Sequence, residues 1–303
     1  AETAIKELIL KKPTVILGSY GSVYSMVAGD YIRDAKIPAI AVTNTNPLVT
    51  SNNDYYFRVC YVDSNQGDIL ARYVLEQKKE VTAGVLLPEG DDAAMAMATA
   101  FTDRIKAETD NEDAITVYED YKPGAKNFEK QLEAVEKSGV KSVLLPGDVT
   151  DCANIIKQAN KMGIEVMFLG DKEWSDKKFK SLTKGAATET NTAFVNFYSA
   201  EETVNKEAEK FLKAYHEKYG EDSVPEDSVA LGYDAYVIAL DAIDKADDDA
   251  TGEEIKEILK SQNEFQGASG TITFNTSGDP IKTAYISTWK NDEIISLYTM
   301  EPL

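Results

Sequence analysis

Two short loops carry residue types that could hold a small anion. The first is Gly18-Ser19-Tyr20-Gly21-Ser22, between a β-rich run at Thr14–Leu17 and a helical pattern that starts near Ser22. Its glycines permit a tight turn, and a capping Ser22 would leave backbone N–H groups facing an anion. The second is Thr43-Asn44-Thr45-Asn46-Pro47, after the run Pro38–Val42. Its hydroxyls and amides can grip a carboxylate, but the same residues also build Asx and ST turns, and spacing alone leaves both readings open. In open α/β sheets, ligands gather just outside the C-terminal ends of strands, which is where both loops fall.

Catalytic chemistry has no comparable signal. The single histidine, His216, lies among charged residues in FLKAYHEKYG and reads as a surface side chain. There is no GxSxG, GxGxxG, GxxxxGK[ST] or HExxH motif, and no carboxylate pair is marked by spacing as an acid/base couple. The two cysteines, Cys60 and Cys152, form neither a CxxC nor a metal-ligand set and read as two separate buried thiols. No metal or cofactor is expected, and the protein is not expected to be an enzyme.

The elements that must position those loops alternate. β-rich runs at Thr14–Leu17, Pro38–Val42, Ala83–Leu87, Ala114–Tyr118, Lys141–Leu145 and Glu165–Leu169 are separated by helical patterns such as Asp92–Glu108, Ala125–Ser138 and Asp151–Met162. Strands joined through helices pair in parallel by right-handed crossovers, which predicts an α/β fold with a doubly wound sheet. The C-terminal third changes character. Helical patterns at Glu201–Tyr219, Asp227–Lys245 and Gly252–Ser261 lead to an alternating stretch, with turn signals at Ser277–Gly278 and Asn291–Asp292 that predict a strand, a turn and a hairpin.

At 303 residues, two domains are the expectation. Without a low-complexity linker, the chain should pass back and forth between them. The formal charge of −20 repels nucleic acid and anionic lipid. The acids are spread over helical patterns as a solvated surface, apart from a loop-like cluster at Asp247–Asp249. No run approaches the roughly 18 apolar residues of a membrane span, and no basic-then-apolar leader opens the sequence.

The two loops, in that order, resemble the type I periplasmic binding proteins, in particular the Leu/Ile/Val (branched-chain amino acid)-binding receptors of ABC importers. The likeness continues through YYFRVCYVDSNQGDILARYVL, Leu144-Leu145-Pro146-Gly147-Asp148, FLGDKEW (Phe168–Trp174) and the helix at Gly232-Tyr233-Asp234-Ala235, and covers essentially the whole chain. It implies two Rossmann-like lobes joined by a three-crossover hinge. Lobe one would hold 1–63 and 195–280, and lobe two 64–194 and 281–303. It also implies an extracytoplasmic receptor, periplasmic or tethered as a lipoprotein, acting as a monomer. The receptor would close on an amino acid or related small carboxylate and deliver it to a permease and its ATPase. A ligand-sensing domain of a regulatory protein with the same fold is the alternative, and an α/β enzyme a third.

Carried over by position, the hydroxyls of Ser22 and Thr45 grip an α-carboxylate, and the Thr43 backbone carbonyl receives an ammonium. Tyr20, Tyr233 and Trp174 are candidate pocket walls, and Asn44, Asp148, Asp171 and Lys172 complete the candidate set. Three departures stand out. The family opens with a strand, a helix and a strand that would precede Ala1. Alanine stands in Leu87–Ala94 where an aromatic is usual. The acid that usually meets the ligand's ammonium falls at or beside Lys172. If Lys172 faces the ligand, a second anionic group is favoured; if Asp171 or Glu173 does, an amino acid is.

Overall fold

The computed structural model describes residues 1–19 and 21–302, and the chain divides into two compact units. Unit one opens with α1 (Glu2–Ile9), β1 (Ile16–Leu17), α2 (Ser22–Ala35), β2 (Ala39–Ala41) and β3 (Tyr56–Arg58). These strands form a three-stranded parallel sheet in the order β1-β2-β3. Its core joins Ile16, Ala28, Ile32, Ala39, Ala41 and Tyr56. Among the described residues β1 pairs only on its β2 side, and Leu17 beside that edge is exposed.

The chain enters unit two at 62/63. There α3 (Asp63–Arg72) runs on into a π-helical turn (Tyr73–Lys78). It is followed by β4 (Ala83–Pro88), α4 (Asp92–Thr109), β5 (Ile115–Tyr121), α5 (Glu129–Ser138), β6 (Ser142–Leu144), α6 (Val149–Met162), β7 (Met167–Gly170), α7 (Lys177–Thr183) and β8 (Thr192–Asn196).

The local reasons are visible. Asp91 accepts the Ala94 N–H at 3.0 Å to start α4, and Met97, Ala98, Phe101 and Ile105 form its buried stripe at helical spacing. All six residues of β4 are buried, as a parallel strand covered on both faces must be. Helix α5 begins later than its pattern suggests, because Gly124 and Phe128 spend their N–H groups on Asp151 (2.7 Å) and Gln158 (2.9 Å).

Back in unit one from residue 197, α8 (Lys206–Tyr219), α9 (Asp227–Asp244) and α10 (Gly252–Lys260) precede β9 (Phe265–Gly267), β10 (Gly270–Phe274) and β11 (Pro280–Lys282), an antiparallel sheet in the order β11-β10-β9. The chain then returns to unit two as β12 (Ala284–Lys290) and β13 (Glu293–Met300). Asn291 and Asp292 both adopt positive φ, the backbone a two-residue hairpin requires. The completed seven-stranded sheet runs β13-β12-β8-β7-β6-β4-β5, with β12 antiparallel to β8.

The crossings lie at 62/63, 196/197 and 284/285, where the sequence suggested 63/64, 194/195 and 280/281. Pairing decides the differences. Asn196 is registered with Tyr285 in unit two, and Thr283 bonds to Thr271 in unit one. Glu301 and Pro302, expected with the second lobe, group with the first. Neither cysteine is in a disulfide, and both are buried. Among the described residues no helix is long and apolar enough to cross a membrane.

Candidate ligand-binding site

In unit one the two candidate loops meet. The N-cap of α2 is Gly21, at φ 87°, which a side chain would strain; Ser22 is the first helical residue and does not cap. Its hydroxyl instead accepts the Asn46 N–H at 3.3 Å, which ties the start of α2 to the loop after β2. Thr43 and Thr45 are half-buried on that loop. Asn44 is fully buried, and among the described residues its side-chain amide has no hydrogen-bond partner. Tyr20 lies outside the described residues.

Beneath the loop sits a residue the motif reading passed over. Arg58, at the end of β3, is fully buried, and its guanidinium reaches the carbonyls of Asn44 (2.6 Å), Asn46 (2.9 Å) and Pro47 (3.3 Å). It also meets the Thr50 hydroxyl at 2.7 Å and the Asp279 carboxylate at 2.6 Å. Only its place in the FR pair marked it in the sequence.

Unit two presents acids at the C-terminal ends of neighbouring parallel strands. After β6, Asp148 caps α6 by accepting the Thr150 N–H at 2.8 Å. Burial would raise its pKa, but the hydrogen bonds from Thr150 outweigh that and hold it below the ordinary value. After β7, Asp171 accepts the Glu173 N–H at 2.9 Å. Burial first, then repulsion from Glu173 and Asp63, push its carboxyl up to about 7. Lys172 donates its N–H to Gln66 at 2.9 Å, and its ammonium pairs with Glu173 at 3.2 Å.

Of the expected aromatic walls, Trp174 is turned inward and Tyr233 is half-buried. Trp174 is fully buried and stacked on Phe179 at 4.5 Å, and its carbonyl accepts the Trp289 indole N–H at 2.7 Å. A Cβ on Gly170 would stand 2.1 Å from that ring, so glycine there lets the loop close over the indole. Trp174 therefore carries the Asp171–Lys172 turn from behind and offers a ligand no face. Tyr233 donates its hydroxyl to Glu207 of α8 and packs on Phe211 at 5.0 Å.

Both units are open α/β units that carry hydroxyl-rich or acidic loops at the C-terminal ends of their strands, where such folds take ligands. The chain belongs to the periplasmic binding protein family, whose model matches residues 1–293. It is 22% identical to the Leu/Ile/Val-binding protein homolog 3 of Brucella melitensis, over 93% of this chain and 74% of that one. It is 24% identical to a leucine-, isoleucine-, valine-, threonine- and alanine-binding protein of Pseudomonas aeruginosa, over 87% and 68%. Its fold matches the leucine-binding protein LivK of Thermotoga maritima (TM-score 0.79, 25% identity, 100% of this chain and 85% of that one). It also matches the branched-chain amino acid receptor LivJ of Streptococcus pneumoniae, solved with isoleucine (TM-score 0.78, 25% identity, 99% and 83%). The protein has the type I periplasmic binding protein fold and is a solute-binding receptor of the ABC-importer type, working outside the cytoplasm.

Proposed function

We propose that the ligand is a free α-amino acid, held by its carboxylate on unit one and by its ammonium on unit two as the units close. The hydroxyls of Ser22 and Thr45 take the carboxylate, and Asp171, with the Thr43 carbonyl, takes the ammonium. The observation that carries the choice is the direction of the Lys172 side chain, which pairs with Glu173 3.2 Å away. The neighbouring Asp171 follows β7, where burial and the charges of Glu173 and Asp63 raise its pKa against a smaller lowering by Lys172. A cation there would meet Asp171 and relieve repulsion, whereas a second anionic group would add to it. Only a ligand with greater affinity for the closed state can drive closure. In this reading a monomeric receptor, periplasmic or lipid-tethered, then passes its cargo to a permease and its ATPase.

A thermal-shift screen of free amino acids against simple and aromatic carboxylic acids tests the choice. Ligand at a hundredfold excess over Kd adds about 2.7 kcal/mol of stability. Stabilisation by acids lacking an ammonium, with none from amino acids, would sink the reading and turn attention to Lys172.

A further inference from the structure

We propose that Arg58 is the positioning residue of the carboxylate-binding loop, acting through the Asn44, Asn46 and Pro47 carbonyls and locked in place by Asp279. The inference rests on the reading that this loop takes the ligand's carboxylate.

Arg58 directs Nη1 and Nη2 to partners at 44, 46, 47 and 50, and its Nε lies 2.6 Å from the Asp279 carboxylate in an ion pair. A planar fork with five N–H donors can serve so many directions from one buried point, and an ammonium cannot. The consequence for a ligand follows from the trans peptide. With the Asn44 carbonyl drawn 2.6 Å from Nη1, the N–H of Thr45 is turned to the opposite side, away from Arg58. The loop thereby shows an anion the Thr45 N–H beside its hydroxyl and hides the carbonyls that would repel it. Asp279 holds the guanidinium from the other end: it pairs with Nε, accepts the Thr50 hydroxyl at 2.8 Å, and sits in a turn whose Gly278 carbonyl receives the backbone N–H of Arg58 at 3.0 Å. The β10–β11 turn thus sets the geometry of a loop on a different sheet.

The test is a double-mutant cycle of Arg58→Lys with Thr45→Ala, read by calorimetric titration with L-leucine, with Asp279→Asn as the milder second lesion. Hydrogen exchange of the unliganded variants accompanies it. The amides of Asn46, Leu48 and Val49 are hydrogen-bonded within this region, so their protection reports loop order without any ligand. The expected result is about tenfold or greater loss of leucine affinity in Arg58→Lys that largely vanishes in the Thr45→Ala background, because residues in one network couple. Exchange at 46–49 quickens in Arg58→Lys and Asp279→Asn while that of β4 and β5 holds. Additive losses would show Arg58 to be merely structural and overturn the proposal, and so would unchanged exchange at 46–49. Failure of the unaltered protein to bind any amino acid would instead remove the ligand reading, and the proposal with it.

Discussion

Lys282 and Asp234 meet inside unit one across a single hydroxyl. Ser269 Oγ accepts from the Lys282 ammonium at 2.5 Å and donates to Asp234 at 2.5 Å. Both charged side chains are buried, and Asp234 also receives the N–H groups of Ala268 (2.5 Å) and Ser269 (2.9 Å). Lys282 further reaches the Val59 carbonyl at 3.3 Å, so β11 is joined to the segment just before the 62/63 crossing.

Removing one partner of this pair should be far worse than removing both. Lys282→Met leaves a buried carboxylate without its cation and should cost about 3–5 kcal/mol, with Lys282→Met/Asp234→Leu recovering much of it. Urea unfolding of the three proteins checks this. Equal stability of the single and double variants would show that the pair is not coupled.

The same pair makes stability depend on pH. Burial, partly opposed by Asp234, pulls the Lys282 pKa down to about 8. The folded state then binds fewer protons than the unfolded state between about 8 and the ordinary lysine value near 10.5. This group's contribution to stability therefore rises with pH across that window, by up to about 3 kcal/mol. The stability difference between the unaltered protein and Lys282→Met should widen in that direction, and a flat difference would contradict it.

For Asp171 the sign concerns binding. Its pKa, raised to about 7, leaves much of the carboxyl protonated below neutrality, while an ammonium ligand requires the ionised form. Leucine affinity should rise between pH 5 and 8, on the order of tenfold or more. Protons should be released on binding, measurable by calorimetry in buffers of different ionisation enthalpy. Asp171→Asn should remove both effects, and Lys172→Gln should preserve them.

Ser22→Ala and Thr45→Ala should each weaken amino-acid binding by about 1–3 kcal/mol, the cost of losing a hydrogen bond to a charged group. Titration calorimetry reads this directly. Unchanged affinity in both variants would remove the carboxylate site from unit one.

Gly170→Ala forces a methyl group toward the Trp174 ring, where a Cβ would stand at 2.1 Å. Overpacking of this kind costs about 1–3 kcal/mol and should lower the thermal midpoint. Trp174→Ala should cost more, about 3–5 kcal/mol, through the cavity it leaves. If both variants melt like the unaltered protein, Trp174 does not hold the core as described.

The alternation of strands and helices was legible because hydrophobic period is a local property. The stretches Asp92–Glu108 and Ala83–Leu87 differ from α4 and β4 by one residue each. The short strands β3 and β8 escaped, since runs of three and five residues are too short to show a period. In the loops, the tight turn at Gly21 was legible because backbone freedom is written in the residue type. The capping role expected of Ser22 passed to Gly21, and the Ser22 hydroxyl went to the Asn46 N–H. Whether a given side chain points into or out of a unit was not legible. Trp174, expected as a pocket wall from the resemblance, is fully buried, and so is Asn44.

By itself the sequence determined the α/β class, the two-part organisation, the lack of catalytic motifs and the pair of loops that begin unit one. Tertiary structure alone decided that Arg58 is buried beneath one of those loops, that Asp279 meets it from the β10–β11 turn, and that Lys282 finds Asp234 through Ser269. It also paired Lys172 with Glu173 and buried Asp171 beside Glu173 and Asp63. The physical reason is one of range. Propensity and period act over a few residues, whereas the partner of a buried charge comes from wherever the chain returns, and only the folded topology brings that partner within hydrogen-bonding distance.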